Sequence, residues 1–391
     1  MTLKYPLASS SWGEEEINAL EKVIASGNFT MGPITLEFEK AFSDYIGSKF
    51  TVMVNSGSSA NLLMIASLFF SKNTLYKLNP GDEIIVPALG WSTSYFPLQQ
   101  YNLKLKFVDI DIKTLNYDLD KLHDAVGANT RAILAINILG NPNDFEIIQK
   151  LIEGKNILLL EDNCESLGAK LGEKMAGTFG LMGTFSTFFS HHMSTMEGGL
   201  ITTNDEELYQ IMLSLRAHGW TRNLPNKNYI SNKNDRNDFD ESFKFVLPGF
   251  NLRPIELSAA VGLEQLKKLP LFIEKRRDNA NRFKEALSSL ENIYIQKEIG
   301  YSSWFGFSII LKDTAAFDRQ FFLKKLNNAG FESRPIVSGN FVKNDVVKFF
   351  DYTQHGILKN AEYLDMNGLF VGNHHYDLHD DFFSSLKLIL E

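Results

Sequence analysis

The chain has 391 residues, with 39 Lys and Arg against 47 Asp and Glu, giving a formal charge of −8 at neutral pH. That length exceeds the roughly 250–300 residues at which one hydrophobic core stops growing, so a lone small module is excluded and two domains are expected. With 44% hydrophobic and 22% charged residues the composition is that of a packed protein, and the absence of any basic block excludes a general nucleic-acid footprint. The single cysteine, Cys164, excludes an internal disulfide framework and a four-cysteine zinc or iron–sulfur site within one chain. Residues Met1 to Ala8 lack the charged-then-apolar pattern of a signal peptide, and no run approaches the ~18 apolar residues of a membrane span. A soluble cytoplasmic protein is expected.

Short apolar runs alternate with helical stretches through the first part of the chain, the pattern of βαβ units on a mostly parallel sheet, so the fold class is α/β. In chain order the expected strands are Phe50–Asn55, Glu83–Pro87, Leu105–Asp109, Ala132–Ile138, Ile157–Glu161, Gly183–Phe188 and Leu200–Thr203, with helices Ser58–Leu68, Asp144–Ile152 and Glu206–Ala217 between some of them. The stretch Arg222 to Asp240, rich in Asn, Lys and Asp without an apolar period, reads as a surface loop. From Pro254 a long helix to about Leu290 is followed by strands Ile293–Gln296 and Trp304–Leu311 and helix Asp318–Ala329. The expected division is a large domain over residues 1–250 and a smaller C-terminal α+β domain over 251–391.

Chemistry concentrates where strands end. Strand Phe50–Asn55 runs into Ser56-Gly57-Ser58-Ser59, small residues at a helix start whose free amides suit a phosphate, although a plain Ser N-cap fits the same residues. Ile157–Glu161 leads into Asp162, Asn163, Cys164 and Glu165 at the carboxyl edge, where Asp162 could hold a charged ring nitrogen or simply close a turn. Trp91 follows Glu83–Pro87 and suits either a planar ligand or the core. The stretch Ser186 to Gly199 holds His191 and His192, but adjacent histidines without a third donor at familiar spacing argue against a metal.

In this order the sites resemble those of the fold-type I, pyridoxal-phosphate-dependent sugar aminotransferase family, and the resemblance covers essentially the whole chain. It implies pyridoxal 5′-phosphate (PLP) and its pyridoxamine form (PMP), with Gly57, Ser58 and Ser186 on the phosphate, Trp91 stacked on the ring, Asp162 on the ring nitrogen and Glu165 near the ring hydroxyl. Gly249-Phe250-Asn251-Leu252-Arg253 resembles the segment whose asparagine, here Asn251, reaches the phosphate in the neighbouring subunit, which implies a homodimer.

One residue departs from the family pattern. Six positions before Glu197 of Glu197-Gly198-Gly199 the family carries the lysine that binds the cofactor covalently, and here stands His191, with no lysine between Lys174 and Lys227. An imidazole with an ordinary pKa of about 6.5 can move protons but cannot attach the cofactor. Within the family this exchange marks the sugar 3-dehydratases, of which one kind carries an iron–sulfur cluster and the other does not. One cysteine leaves the cluster-free kind, which the runs Ser56–Ala66, Glu161–Ser166, Gly177–Phe185, Arg216–Pro225 and Glu241–Pro248 resemble. The resemblance then implies GDP-4-keto-6-deoxy-D-mannose as substrate, L-glutamate as amino donor, non-covalent PLP without an iron–sulfur cluster, and His191 as catalytic base. His218 and Arg334 are expected to line the substrate pocket, while Arg222 and Arg253 fit solvated roles equally well. A lysine-free transaminase and an inactive cofactor-binding regulator remain open alternatives.

Overall fold

The computed structural model describes residues 3–231, 239, 243–312 and 318–391. Of the segments singled out above, residues 232–238 and 240–242 lie outside the described residues.

Two helices, α1 (Glu14–Ser26) and α2 (Pro33–Ile46), precede β1 (Phe50–Val54) and α3 (Gly57–Phe70). Then come β2 (Glu83–Pro87), α4 (Ser92–Gln100), β3 (Lys104–Val108), α5 (Leu119–Ala125), β4 (Thr130–Ile136), α6 (Phe145–Ile152) and β5 (Leu158–Asp162). A small hairpin of β6 (Lys170–Leu171) and β7 (Lys174–Met175) leads to β8 (Met182–Ser186), β9 (Gly199–Thr203) and α7 (Glu206–Arg216). A long helix, Glu256–Leu287, connects to β10 (Ile293–Tyr294), β11 (Gly306–Leu311), β12 (Ser333–Arg334), β13 (Tyr352–Gln354) and β14 (Gly368–Gly372).

The large sheet has the order β1-β9-β8-β5-β4-β2-β3-β13. Pairing is parallel from β8 across to β13, and β9 alone runs antiparallel to both neighbours. The carboxyl ends of β1, β2, β4, β5 and β8 therefore lie along one edge, where open α/β sheets bind ligands. The central strands are buried on both faces, which is why β5 reads Leu-Leu-Leu-Glu-Asp rather than alternating. The second sheet, β10-β11-β14-β12, is antiparallel throughout and rests on Phe283, Trp304, Phe307, Phe331 and Phe382. One helix serves both cores: Leu266, Leu269 and Ile273 pack beside α2, while Phe283 and Leu287 pack under the small sheet.

The expected strands are found with shifted ends, and the shifts have causes. Ser186 ends β8 because its hydroxyl accepts from Phe188 N–H and turns the chain outward. The strand expected from Trp304 begins at Gly306, since Trp304 has φ +47°, outside the β region. Tyr352–Gln354 adds an edge strand parallel to β3. Among the described residues no helix is long and apolar enough to cross a membrane.

A buried ion pair fastens α2, β1 and α7. Arg216 Nη1 donates to Glu39 Oε1 and, at 2.6 Å, to the carbonyl of Met53, whose own N–H donates to Glu39 at 2.8 Å. Glu39→Leu leaves the guanidinium buried and unpaired, so a loss of about 3–5 kcal/mol is expected in urea unfolding, much of it regained by adding Arg216→Met.

Candidate active site

The site is organised around the Asp162 carboxylate, buried at the end of β5. Asn61 Nδ2 from α3 donates to Oδ2 at 2.8 Å, Ser94 Oγ from α4 donates to the same oxygen at 2.7 Å, and Cys164 N–H donates to Oδ1 at 3.0 Å. The last contact is the turn anticipated as an alternative role; the first two aim the carboxylate at the sheet edge. Thr184 on β8 in turn donates to Asn61 Oδ1 at 2.6 Å, which fixes the amide's orientation.

The cup expected for a phosphate lies where α3 begins. Ser56, not Ser58, is the N-cap, accepting from Ser59 N–H at 3.1 Å, so the Ser58 hydroxyl is left to meet Thr93 Oγ1 at 3.0 Å. A Cβ on Gly57 would stand 2.6 Å from Ser186 Cβ and 3.1 Å from Cys164 Sγ. Only glycine allows the helix start to approach β8 this closely, and the approach brings Gly57 and Ser186 into one cup.

His191 lies in the loop between β8 and β9, partly buried, its ring edge-on to Phe188 at 5.9 Å and to Phe305 of the small sheet's entry at 5.2 Å. Its Nδ1 is buried without a partner. Burial, reinforced by the positive charge of Arg276, holds its pKa down to about 4, which corrects the ordinary value expected from sequence. Glu165, partly buried, accepts from Leu139 N–H at 3.0 Å, and burial pushes its pKa up to about 7. Phe305 N–H donates to the carbonyl of the same Leu139 at 3.0 Å, so Glu165 and the wall beside His191 share one short piece of chain.

The other candidates lie further out. Trp91, 58% exposed, sits immediately before α4, which rules out the core alternative. His218 has φ +61° and packs edge-on to Trp220 at 5.1 Å, while Asn251 is exposed and accepts from Arg253 Nε at 3.0 Å. This group meets the cup through Asn55 N–H, which donates to the Leu252 carbonyl at 3.0 Å. Arg334 is exposed on β12 and paired with Glu332 at 3.3 Å. Sequence reasoning missed Asn61, Ser94 and Phe305; an amide side chain one turn into a helix that continues Leu-Leu-Met-Ile-Ala was the available signal for Asn61.

A helix start stripped to glycine, an acceptor carboxylate and an unpartnered imidazole together fit a cofactor with a phosphate and a protonated ring nitrogen. PLP has both. The comparisons agree with this geometry. The chain is 61% identical over 377 residues, 96% of this chain and 95% of the relative, to the GDP-4-keto-6-deoxy-D-mannose 3-dehydratase of Yersinia pseudotuberculosis. The structure superposes with a TM-score of 0.98 and 56% identity, over the whole of both chains, on the Escherichia coli GDP-4-keto-6-deoxy-D-mannose-3-dehydratase with bound hydrated PLP. It superposes at 0.97 and 56%, over 99% of this chain and all of the other, on a GDP-4-keto-6-deoxymannose-3-dehydratase with a trapped PLP-glutamate geminal diamine. Residues 10–379 match the family's own sequence model, and the chain belongs to the DegT/DnrJ/EryC1/StrS aminotransferase family.

Proposed function

We propose that this chain removes the C3 hydroxyl of GDP-4-keto-6-deoxy-D-mannose, using PLP and glutamate, and so serves deoxysugar biosynthesis in the cytoplasm. The observation that carries the reading is the imidazole of His191 where an aminotransferase needs an amine, in a chain closely similar to 3-dehydratases over nearly its full length. The balance closes: glutamate gives up its amino group and an electron pair to become 2-oxoglutarate, the sugar exchanges its C3 hydroxyl for hydrogen, and the nitrogen leaves as ammonia.

When bound, PLP supplies the electron sink that carries this pair from donor to sugar. Gly57, Ser58 and Ser186 would hold its phosphate, Asp162 would accept from the ring nitrogen and keep it protonated, and Trp91 and Glu165 would flank the ring and its hydroxyl. The His191 imidazole, neutral at working pH, takes a proton as base and then holds the one proton it can return to the departing hydroxyl. His218 and Arg334 serve the sugar nucleotide. In this reading residues 1–250 hold the cofactor and residues 251–391 bring the Phe305 wall to it.

A homodimer with shared sites belongs to the same proposal. Phe188, Phe189 and Met196, on the loop that carries His191, are exposed in the single chain, as are Phe29 and Ile255. Exposed apolar side chains on the loop that carries His191 fit a subunit interface, with Asn251 reaching the partner's phosphate cup.

Four outcomes are expected. Turnover in heavy water with ¹⁵N-glutamate should place deuterium at C3 and release one labelled ammonia per sugar, read by mass spectrometry, and His191→Asn should lower the rate by about 10²–10⁴ while PLP stays bound; label retained at C4 with the C3 oxygen intact would show an aminotransferase. Gly57→Ala should weaken PLP binding by about tenfold or more in absorbance titrations, since the methyl must push Ser186 out of the cup. Mixing Asn251→Ala with His191→Asn chains should restore part of the activity through one intact site per heterodimer; no recovery after demonstrated subunit exchange would exclude shared sites.

A further inference from the structure

Arg276, in the second half of the helix Glu256–Leu287, is 5% exposed and makes no ion pair with any described residue. Burial lowers its pKa to about 10, which leaves the guanidinium charged at neutral pH. Its Nη1 donates to the carbonyl of Phe305 at 3.0 Å and to that of Asn373 at 2.8 Å, and its buried Nε has no partner. Asn373 Nδ2 closes the arrangement by donating to the carbonyls of Arg276 at 2.9 Å and Trp304 at 2.8 Å. An uncompensated buried charge is costly, so its retention calls for a role.

The charge lies behind the aromatic wall of the active site. The Phe305 ring that stands against His191 at 5.2 Å also meets His192 at 5.6 Å, and His192 Nε2 lies 3.2 Å from the carbonyl of Ser303. Four histidines feel this guanidinium: His191 and His192 from the loop after β8, and His374 and His375 from the segment after β14. All four are held neutral by burial first and by Arg276 second. Phe188 and Phe305, the aromatic rings against His191, carry no charge; of the pocket's acids, Asp162 is held by Asn61, Ser94 and the Cys164 amide, and Glu165 by the N–H of the Leu139 that accepts from Phe305.

We propose that Arg276 is a positioning residue for the dehydration: clamped to the main chain of Phe305 and lacking a counter-ion, it adds to burial in keeping the His191 imidazole neutral and ready to accept a proton. The proposal rests on the reading of His191 as base. A cofactor phosphate and a nucleotide diphosphate would raise the proton affinity of a nearby imidazole and turn the base off at neutral pH. A fixed cation on the protein side opposes them. This inverts the familiar arrangement in which a carboxylate backs a catalytic histidine and favours its charged form.

The test follows the His191 ring itself, by proton–nitrogen NMR of the full-length PLP-loaded protein with labelled histidine, the signal assigned by its loss in His191→Asn. The native ring is expected to stay neutral down to about pH 5. In Arg276→Met its proton affinity should rise by up to about tenfold, and the acid limb of kcat/KM should move upward in pH with it. Arg276→Lys, which keeps the charge, should stay near native in both readouts. A folded Arg276→Met with an unchanged titration overturns the proposal. So does a native His191 that charges between about pH 6 and 7, a result available even if Arg276→Met does not fold. Near-normal turnover of His191→Asn beside the expected titration shift would instead remove His191 as base and leave the electrostatic coupling standing.

Discussion

A carboxylate buried at the end of a strand is tolerated only when donors converge on it, and Asp162 draws them from different elements. Asn61 comes from one turn into α3, Ser94 from the first turn of α4, and the Cys164 amide from the turn that follows β5. Thr184 extends the network to β8. Satisfying this single group fixes the rotation of α3, and so the position of Gly57 at its start, and fixes the start of α4 that Trp91 precedes. The cup and the helix start beside Trp91 are in this sense consequences of hydrogen-bonding one acid.

Two carboxylates three positions apart receive different treatment. Asp162 has three donors, whereas Glu165 has the Leu139 amide and a pKa raised to about 7 by burial, so at neutral pH it can donate as well as accept. The stability consequences of Glu165 and His191 are opposite in sign. Glu165 binds its proton more tightly in the fold, so its contribution is lost as pH rises from 4.5 through about 7. His191 binds its proton less tightly in the fold, so its contribution is present above 6.5 and lost as pH falls toward about 4. The two windows overlap, and between them the slopes partly cancel.

What could be read from sequence was local. Strand-then-small-residue at Val54–Ser59 and apolar-then-acid at Leu158–Glu165 are patterns within one stretch of chain, and both were found where expected. The direction of β9 was not legible, because an apolar run carries no sign for parallel or antiparallel pairing. Neither was β13, whose Tyr-Thr-Gln has no apolar period and pairs only because its neighbours deliver it to β3. The residues that tune His191 were hidden for the same reason: Phe305 and Arg276 reach it through the tertiary fold, and a histidine's ordinary acidity is all that its own neighbourhood in sequence can suggest.

The junction between the sheets carries two non-glycine residues in the left-handed region, Leu139 at φ +51° and Trp304 at φ +47°, facing each other through the Phe305–Leu139 and Ser303–Gly140 backbone bonds. Each such residue costs roughly 1–2 kcal/mol. Glycine at 304 would relieve that strain but would empty the space of one of the largest fully buried side chains in the molecule, a loss of about 3–5 kcal/mol. The lost packing outweighs the relieved strain, so trimming Trp304 slackens the corner only by weakening the fold. The corner that carries Phe305 is therefore held by the bulk of its neighbour Trp304, so the stance of the ring against His191 depends on packing in the core under the small sheet.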